Sequence, residues 1–166
     1  MDAIDYAGRQ PDSEIENEQQ VQYITFLVDT EEYGVEALRV QGIIRYQSPV
    51  KVPNAPDPIQ GVINFRGEVI PLLDLRKTFG LSPLQVDEFT VIVIVELDGK
   101  IFGIIADRVL DMVDIPVSRI NPAAVSNSTA SQNYLQAMVK FDGRLILILD
   151  LNKIITFETG LSEPVS

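Results

Sequence analysis

Short branched-aliphatic runs, each closed by a turn signal, recur from Gln22 to Leu149. Val, Ile and Leu suit the pleated, half-buried surface of a sheet, so the pattern predicts strands. In the first half these are Gln22–Val28, Tyr33–Ala37, Ile43–Val52 with a break at Ser48-Pro49, Ile59–Phe65 and Glu68–Leu73. In the second half they are Thr90–Leu97, Lys100–Ala106, Met112–Arg119 with a break at Pro116, Leu135–Phe141 and Arg144–Leu149. Arg66-Gly67, Asp98-Gly99 and Asp142-Gly143 place glycine where a hairpin turn needs positive φ. Pro49, Pro53, Pro56 and Pro58 mark an irregular connection, because proline cannot donate to a ladder.

The two halves are copies of one pattern. Gly67–Lys77 aligns with Gly143–Lys153 at an offset of 76 (143 − 67), with six identities in eleven positions. Gly61–Phe65 faces Ala137–Phe141 at the same offset, while Tyr33–Val40 faces Phe102–Val109 at an offset of 69 (102 − 33). The second copy therefore carries about seven extra residues, best placed in the Ser/Asn-rich stretch Ser126–Asn133. Each copy ends in a helical turn, Leu75–Phe79 after Asp74 and Leu151–Phe157 after Asp150, with Gly80 and Gly160 at the helix-ending positions. Aspartate is a preferred N-cap, a role that needs nothing else from the sequence, although both carboxylates can also be read as catalytic.

Five short strands and a terminal turn make a small closed or half-closed barrel, which removes exposed sheet edges. The expected organisation is an acidic tail over residues 1–20, one barrel over 21–85, a second over 86–160 and a tail over 161–166, with the first strand, Gln22–Val28, either completing its own barrel or crossing to the other. Barrels this small have modest cores, so the pair should share a third apolar contact, and a groove along it suits a partner.

Composition narrows the function. Hydrophobic residues make up 46% of the 166, enough for a real core, and Val, Ile and Leu dominate because aromatics are only 7%. The net charge of −11 leaves few bases to meet nucleic acid phosphates or an anionic membrane surface. The first twenty residues alone hold six acids against Arg9, a composition that predicts disorder. No run reaches the ~20 apolar residues of a membrane-spanning helix, and the N-terminus has no signal-peptide pattern. Neither His nor Cys occurs, which removes the commonest general base and the nitrogen and sulfur ligands of zinc or copper. Asp74, Asp150, Asp107, Glu36 and Glu68 remain as acids, singly placed and without the pattern of an acid/base pair. No phosphate-binding glycine loop occurs. The expectation is a non-enzyme with no metal and no cofactor.

Glu32–Ile44, the proline-rich stretch Val52–Pro56 and Gly61–Arg76 closely resemble the signature of CheW-type coupling proteins. Gly103–Val109 and Asp142–Ile146 also match, so the resemblance covers about residues 21–158. It implies an all-β fold of two tandem five-stranded, SH3-like barrels with short helical turns and a shared interface core. It also implies a non-catalytic adaptor of bacterial chemotaxis. Its expected partners are the cytoplasmic tip of methyl-accepting chemoreceptors, lying in the groove between the barrels, and the regulatory domain of a CheA-type histidine kinase with the same two-barrel fold. Localisation is then cytoplasmic, at the inner membrane face through receptor arrays and without direct membrane contact.

By the same resemblance, Val40, Gly61, Asn64 and Arg66 fall at positions implicated in receptor or kinase contact. Ile43, Phe65, Gly67, Ala106 and Val109 are expected to support the groove or interface. Val40 reads equally as core packing, Arg66 as a turn residue keeping a loop soluble, and Gly61 as a site of close backbone approach. Phe65 stands where the family usually has Leu, and Gly42 where many members carry Glu. A specialised coupling module of a minor array, or the coupling half of a CheV-type protein, is the nearest alternative. No receiver-like segment follows residue 158, so a complete CheV is not expected. A small-ligand-binding barrel is the remote alternative.

Overall fold

Each of the ten predicted strands has a counterpart, although the segments expected beyond the breaks, Val50–Val52 and Val117–Arg119, form an isolated bridge at Val50 and a 3-10 turn. The computed structural model describes residues 19–54, 59–122 and 134–154. In chain order the elements are β1 (Gln20–Val28), β2 (Glu31–Glu36), β3 (Val40–Arg45), β4 (Ile59–Phe65), β5 (Glu68–Leu73), α1 (Leu75–Phe79), β6 (Val91–Leu97), β7 (Lys100–Ala106), β8 (Arg108–Pro116), β9 (Leu135–Phe141) and β10 (Arg144–Leu149). Single 3-10 turns, Ala37–Arg39 and Val117–Arg119, precede β3 and follow β8. The expected tail over 1–20, apart from its last two residues, lies outside the described residues, as do Ser126–Asn133, residues 155–157 of the second helix, Gly160 and the 161–166 tail.

The third strand of each copy is displaced from its expected position. β3 runs from Val40 only to Arg45, and β8 begins at Arg108 instead of Met112. The start of β8 is set by pairing along β1, from Leu27↔Arg108 to Gln20↔Pro116. Residues 108–112 are all exposed, so no burial pattern announced them.

The larger correction concerns the barrels. Their strand orders are β8-β1-β2-β10-β9 and β3-β6-β7-β5-β4. The chain is therefore not divided near residue 85. Residues 40–106 supply the whole of one sheet, here barrel B, and the flanking segments supply the other, barrel A. The first hairpin of each repeat copy crosses to the other copy's strands. The β1–β2 hairpin pairs with β8 and, in parallel, with β10 at Tyr33↔Leu147. The β6–β7 hairpin pairs with β3 and, in parallel, with β5 at Leu72↔Gly103. Isolated bridges Val50↔Val62 and Asn121↔Met138 then draw the chain after each edge strand back to β4 and β9, closing both barrels.

This exchange explains the continuous apolar runs. Strands buried on both faces lose the alternation of a half-exposed strand. On β6, Ile92 and Ile94 fill barrel B with Ile63, Ile70 and Leu72, while Val93 and Val95 face the other way. On β10, Ile146 and Ile148 fill barrel A with Val139 and Ile115, while Leu147 and Leu149 face away. The outward-pointing sets meet in the shared core, with Phe26, Val35, Phe102 and Ile104 fully buried there. The expected third apolar contact is thus present, and among the described residues its seventeen buried members outnumber either barrel's own cluster of seven.

The caps form as the aspartates predict. Asp74 accepts a hydrogen bond from the Arg76 amide at 3.0 Å, and Gly80 ends α1 at φ 68°. Asp150 accepts from the Lys153 amide at 3.1 Å over a helical turn at 151–154. Burial raises the Asp74 carboxyl above its ordinary range, partly offset by the Arg76 amide and the nearby Lys77 and Arg76 charges. A raised folded-state value favours folding most below the unfolded pKa, and that benefit fades as pH rises through the folded one. Asp74→Asn keeps an acceptor of similar capping strength and removes this slope. It should match the wild type at low pH and be at least as stable at neutral pH in urea unfolding, whereas Asp74→Ala loses about 1 kcal/mol.

Candidate functional site

Two edge strands carry the surface that the repeat makes twice. β3 alternates half-buried Val40, Gly42 and Ile44 with exposed Gln41, Ile43 and Arg45. Val40 packs against the shared core, and Ile43 is 40% exposed. At the equivalent positions of β8, Val109 and Met112 are 37% and 56% exposed, with Leu110 between them at 42%. Edge strands of stable sheets usually carry charge or are covered. Here both expose apolar side chains; Val40 of β3 packs on the shared core, whereas Val113 and Ile115 of β8 belong to barrel A's own core.

The β4–β5 turn holds the remaining polar candidates. Arg66 and Gly67 take φ 53° and 85°, the doubly positive conformation of a tight hairpin turn. The Asn64 carboxamide oxygen accepts from the Gly67 amide at 3.2 Å and fixes the turn from within. Phe65 is buried in the barrel B core, and the Arg66 guanidinium lies 4.7 Å above its ring centroid. A Cβ on Gly42 would stand 3.4 Å from the Phe65 ring and 3.9 Å from Arg66 Nη2, so Gly42, Phe65 and Arg66 form one cluster.

The other candidates stand apart from that cluster. Gly61, at the far end of β4, has its φ at 157° and its backbone against the Val50 carbonyl. Ala106 is buried in the shared core, where it can support a surface without touching a partner.

A groove of about 320 Å³ opens along the shared core, lined by Tyr33, Phe79, Leu81, Leu135, Met138 and Leu145 among others, and sequence reasoning, which expected a groove there, missed these lining residues. It lies where the end of α1 meets β2, β9 and β10. A ring series leads into it from the shared core, Phe26 to Tyr33 at 6.3 Å, Tyr33 to Phe79 at 5.5 Å and Phe79 to Tyr134 at 6.1 Å. Burial, with Glu31 and Asp29 nearby, pushes the Tyr33 hydroxyl well above its usual range, so it stays neutral. None of the nine sequence-chosen residues lines this groove. The spacing of Phe79 and Leu81 past a capped helix was the available signal.

Two ion-pair networks were also missed. Arg76, nearly buried, donates to Asp107 Oδ1 at 2.7 Å and to the Ser82 carbonyl at 2.9 Å. Arg144 reaches Glu32 at 3.0 Å and Asp111 at 3.1 Å. The Met112 amide and then Arg144 hold the exposed Asp111 carboxyl below its ordinary value. Asp107 is therefore not the solitary acid its sequence setting suggested. Both networks satisfy their acids structurally. Among the described residues no three acids gather as a metal site, and no helix is long and apolar enough to cross a membrane.

The model of the CheW-like domain matches residues 22–158. The chain is 31% identical over 137 residues to the chemotaxis protein CheW of Klebsiella aerogenes, covering 82% of each. It is 32% identical over 139 residues to that of Bacillus subtilis, covering 84% of this chain and 89% of the relative. The crystal structure of the scaffolding protein TtCheW from Thermoanaerobacter tengcongensis superposes with a TM-score of 0.72 at 30% identity, over 80% of this chain and 86% of that one.

Proposed function

Because this chain belongs to the CheW-like family, we propose that its two barrels bridge the cytoplasmic tip of a chemoreceptor and the regulatory domain of a CheA-type kinase. The protein is a non-catalytic chemotaxis adaptor. It acts in the cytoplasm and reaches the membrane only through its receptors.

The observation that carries this reading is the repeated apolar edge. Ile43 on β3 and Val109, Leu110 and Met112 on β8 are exposed on the edge strands of the two sheets. The receptor's helical hairpin lies along this inter-barrel face, where Val40 packs. A small-ligand barrel has no support, because branched side chains fill both interiors.

Binding of the kinase regulatory domain and a receptor-tip fragment, separately and together with kinase activity as a third readout, tests the assignment. Val40→Asp should weaken receptor binding and Arg66→Ala kinase binding, each by about tenfold, the scale of a well-placed interface residue. Thermal unfolding of both variants separates this from loss of fold. Unchanged affinity in both would overturn the sites and leave the barrels untouched.

A further inference from the structure

Phe89 is the aromatic side chain that the described residues leave exposed, at 50%. It stands on a fixed turn. The Asp87 carboxylate accepts from the Phe89 amide at 2.8 Å, and the Asp87 carbonyl accepts from the Thr90 amide at 3.2 Å. The Thr90 hydroxyl, on a buried residue, accepts from the Asp87 amide at 2.9 Å. These bonds hold the backbone without using the ring, so folding of the turn does not explain a phenyl group in water.

The Arg108 guanidinium lies 5.0 Å from the centroid of that ring. A cation laid on an aromatic face is held in place while its in-plane donors stay available. Among the described residues no carboxylate stands within 4.0 Å of it. The stack also crosses between the barrels. Thr90 leads into β6 of barrel B, and Arg108 opens β8 of barrel A.

From Arg108 an exposed strip runs along β8, through Val109 and Leu110 to Met112. Residues 108–112 span about 16 Å of extended chain, the rise of about three helical turns. Addition of another strand does not suit this edge. Asp111 pairs with Thr25 and Val109 with Phe26, which leaves Leu110 as an extra residue. Such a bulge bends an edge away from strand pairing.

Resting on the adaptor reading above, we propose that the receptor's helical tip lies along β8 and ends on the Phe89–Arg108 stack. Phe89 is the apolar anchor, and Arg108 pairs with a carboxylate on the tip. Aromatic and arginine side chains are the usual anchors of protein interfaces. The receptor is favoured over the kinase because the stack continues the apolar edge assigned to the receptor, and because β8 belongs to a different barrel from the Arg66 turn.

The test uses the full chain with Phe89→Ala, Arg108→Ala and Arg108→Glu, measured against the receptor-tip fragment and the kinase regulatory domain. Phe89→Ala should weaken receptor binding by about tenfold, the scale of an anchoring side chain. Kinase binding and the thermal midpoint should stay at the wild-type values, because an exposed ring leaves no cavity behind. Arg108→Glu should lose more receptor affinity than Arg108→Ala, and raised salt should narrow that gap. The Phe89→Ala/Arg108→Ala double variant should lose less than the two single losses combined, since the ring positions the cation.

Wild-type receptor affinity in Phe89→Ala overturns the inference, and so does an equal loss of both partners. Arg108→Glu binding the receptor as well as Arg108→Ala removes the carboxylate. If Phe89→Ala fails to fold, the two Arg108 variants decide. Loss of receptor binding in Val40→Asp but not in Phe89→Ala would leave the adaptor reading standing without this extension. If the wild-type chain binds neither partner, the adaptor reading itself fails and the extension falls with it.

Discussion

Gly61→Ala should unfold far more easily than the wild type, by about 3 kcal/mol or more, the range of strain at a special backbone position. A Cβ there would stand 2.5 Å from the Val50 carbonyl oxygen and 3.0 Å from the Pro49 Cβ, at a φ of 157°. Backbone cannot step aside as a flexible side chain can. The Val50 carbonyl is also committed, since it accepts from the Val62 amide at 2.9 Å while the Val50 amide donates back to the Val62 carbonyl at 2.9 Å. These two bonds close barrel B. The variant must break the closure or bend the chain at Pro49, whose φ is fixed by its ring.

The repeat offers the comparison that makes this outcome informative. The position matching Gly61 is Ala137, fully buried, beside the equivalent bridge Asn121↔Met138. A Cβ is thus tolerated in the second copy, where Ile120, not proline, precedes the bridge. Urea unfolding of Gly61→Ala and of Gly61→Ala/Pro49→Ala decides the cause. Recovery in the double variant would place the strain at Pro49. A cost below about 1 kcal/mol in the single variant would show that barrel B relaxes to the geometry of its twin. Any loss of partner binding by Gly61→Ala is then a consequence of barrel opening, which separates Gly61 from the surface residues Asn64 and Arg66.

Strand identity was legible because it depends on local chemistry. Glycine turns at Arg66-Gly67, Asp98-Gly99 and Asp142-Gly143 all take the expected positive φ, and β4, β5, β7, β9 and β10 have the predicted limits. Strand partnership was not legible. A run such as Val91–Val95 reports that both faces are buried, but not which strands cover them. The parallel junctions that decide it are short, three matched residues between β2 and β10 and two between β5 and β7. No turn links those strands, so no turn residue records the pairing.

The candidate surface was legible in part for a similar reason. Val40 and Val109 align in the repeat, and both fall on edge strands. The closeness of Gly42 to Arg66 was hidden, because it joins β3 to a turn more than twenty positions further along. The two departures from the family pattern, at 42 and 65, prove to touch. A Cβ at Gly42 would stand in ordinary contact with the Phe65 ring, at 3.4 Å.

The second large effect belongs to Asp107→Ala, expected to cost about 3 kcal/mol, because removing one partner of a mostly buried pair leaves the other charge unmatched. Asp107 is the single residue between β7 of barrel B and β8 of barrel A. Its amide donates to the Leu27 carbonyl at 2.7 Å, its carboxylate accepts from the Asp29 amide at 2.8 Å, and Arg76 reaches it from the first turn of α1. One side chain thereby fastens the β1–β2 turn of barrel A to the helix that follows β5 of barrel B. Without it, Arg76 keeps, among the described residues, the Ser82 carbonyl and Asp29, whose carboxylate is 4.0 Å away.

The repeat had marked this latch, by what it fails to repeat. The positions matching Arg76 and Asp107 are Asn152 and Leu38, and Leu38 is 90% exposed. Charge is present at both positions of one crossing and at neither of the other.

Chemical unfolding of Asp107→Ala, Arg76→Met and the double variant measures the pair. The double variant should be more stable than the sum of the single losses predicts, by about 1–3 kcal/mol, since it leaves no orphaned charge. Strict additivity would show that Arg76 and Asp107 act independently, and the latch would be no more than a shared address. Hydrogen exchange should quicken in Asp107→Ala at the amides of Asp29 and Asp107 before it does in either barrel interior. Equal quickening throughout would mean that the two barrels open as one unit, with the shared core and not the ion pair holding them together.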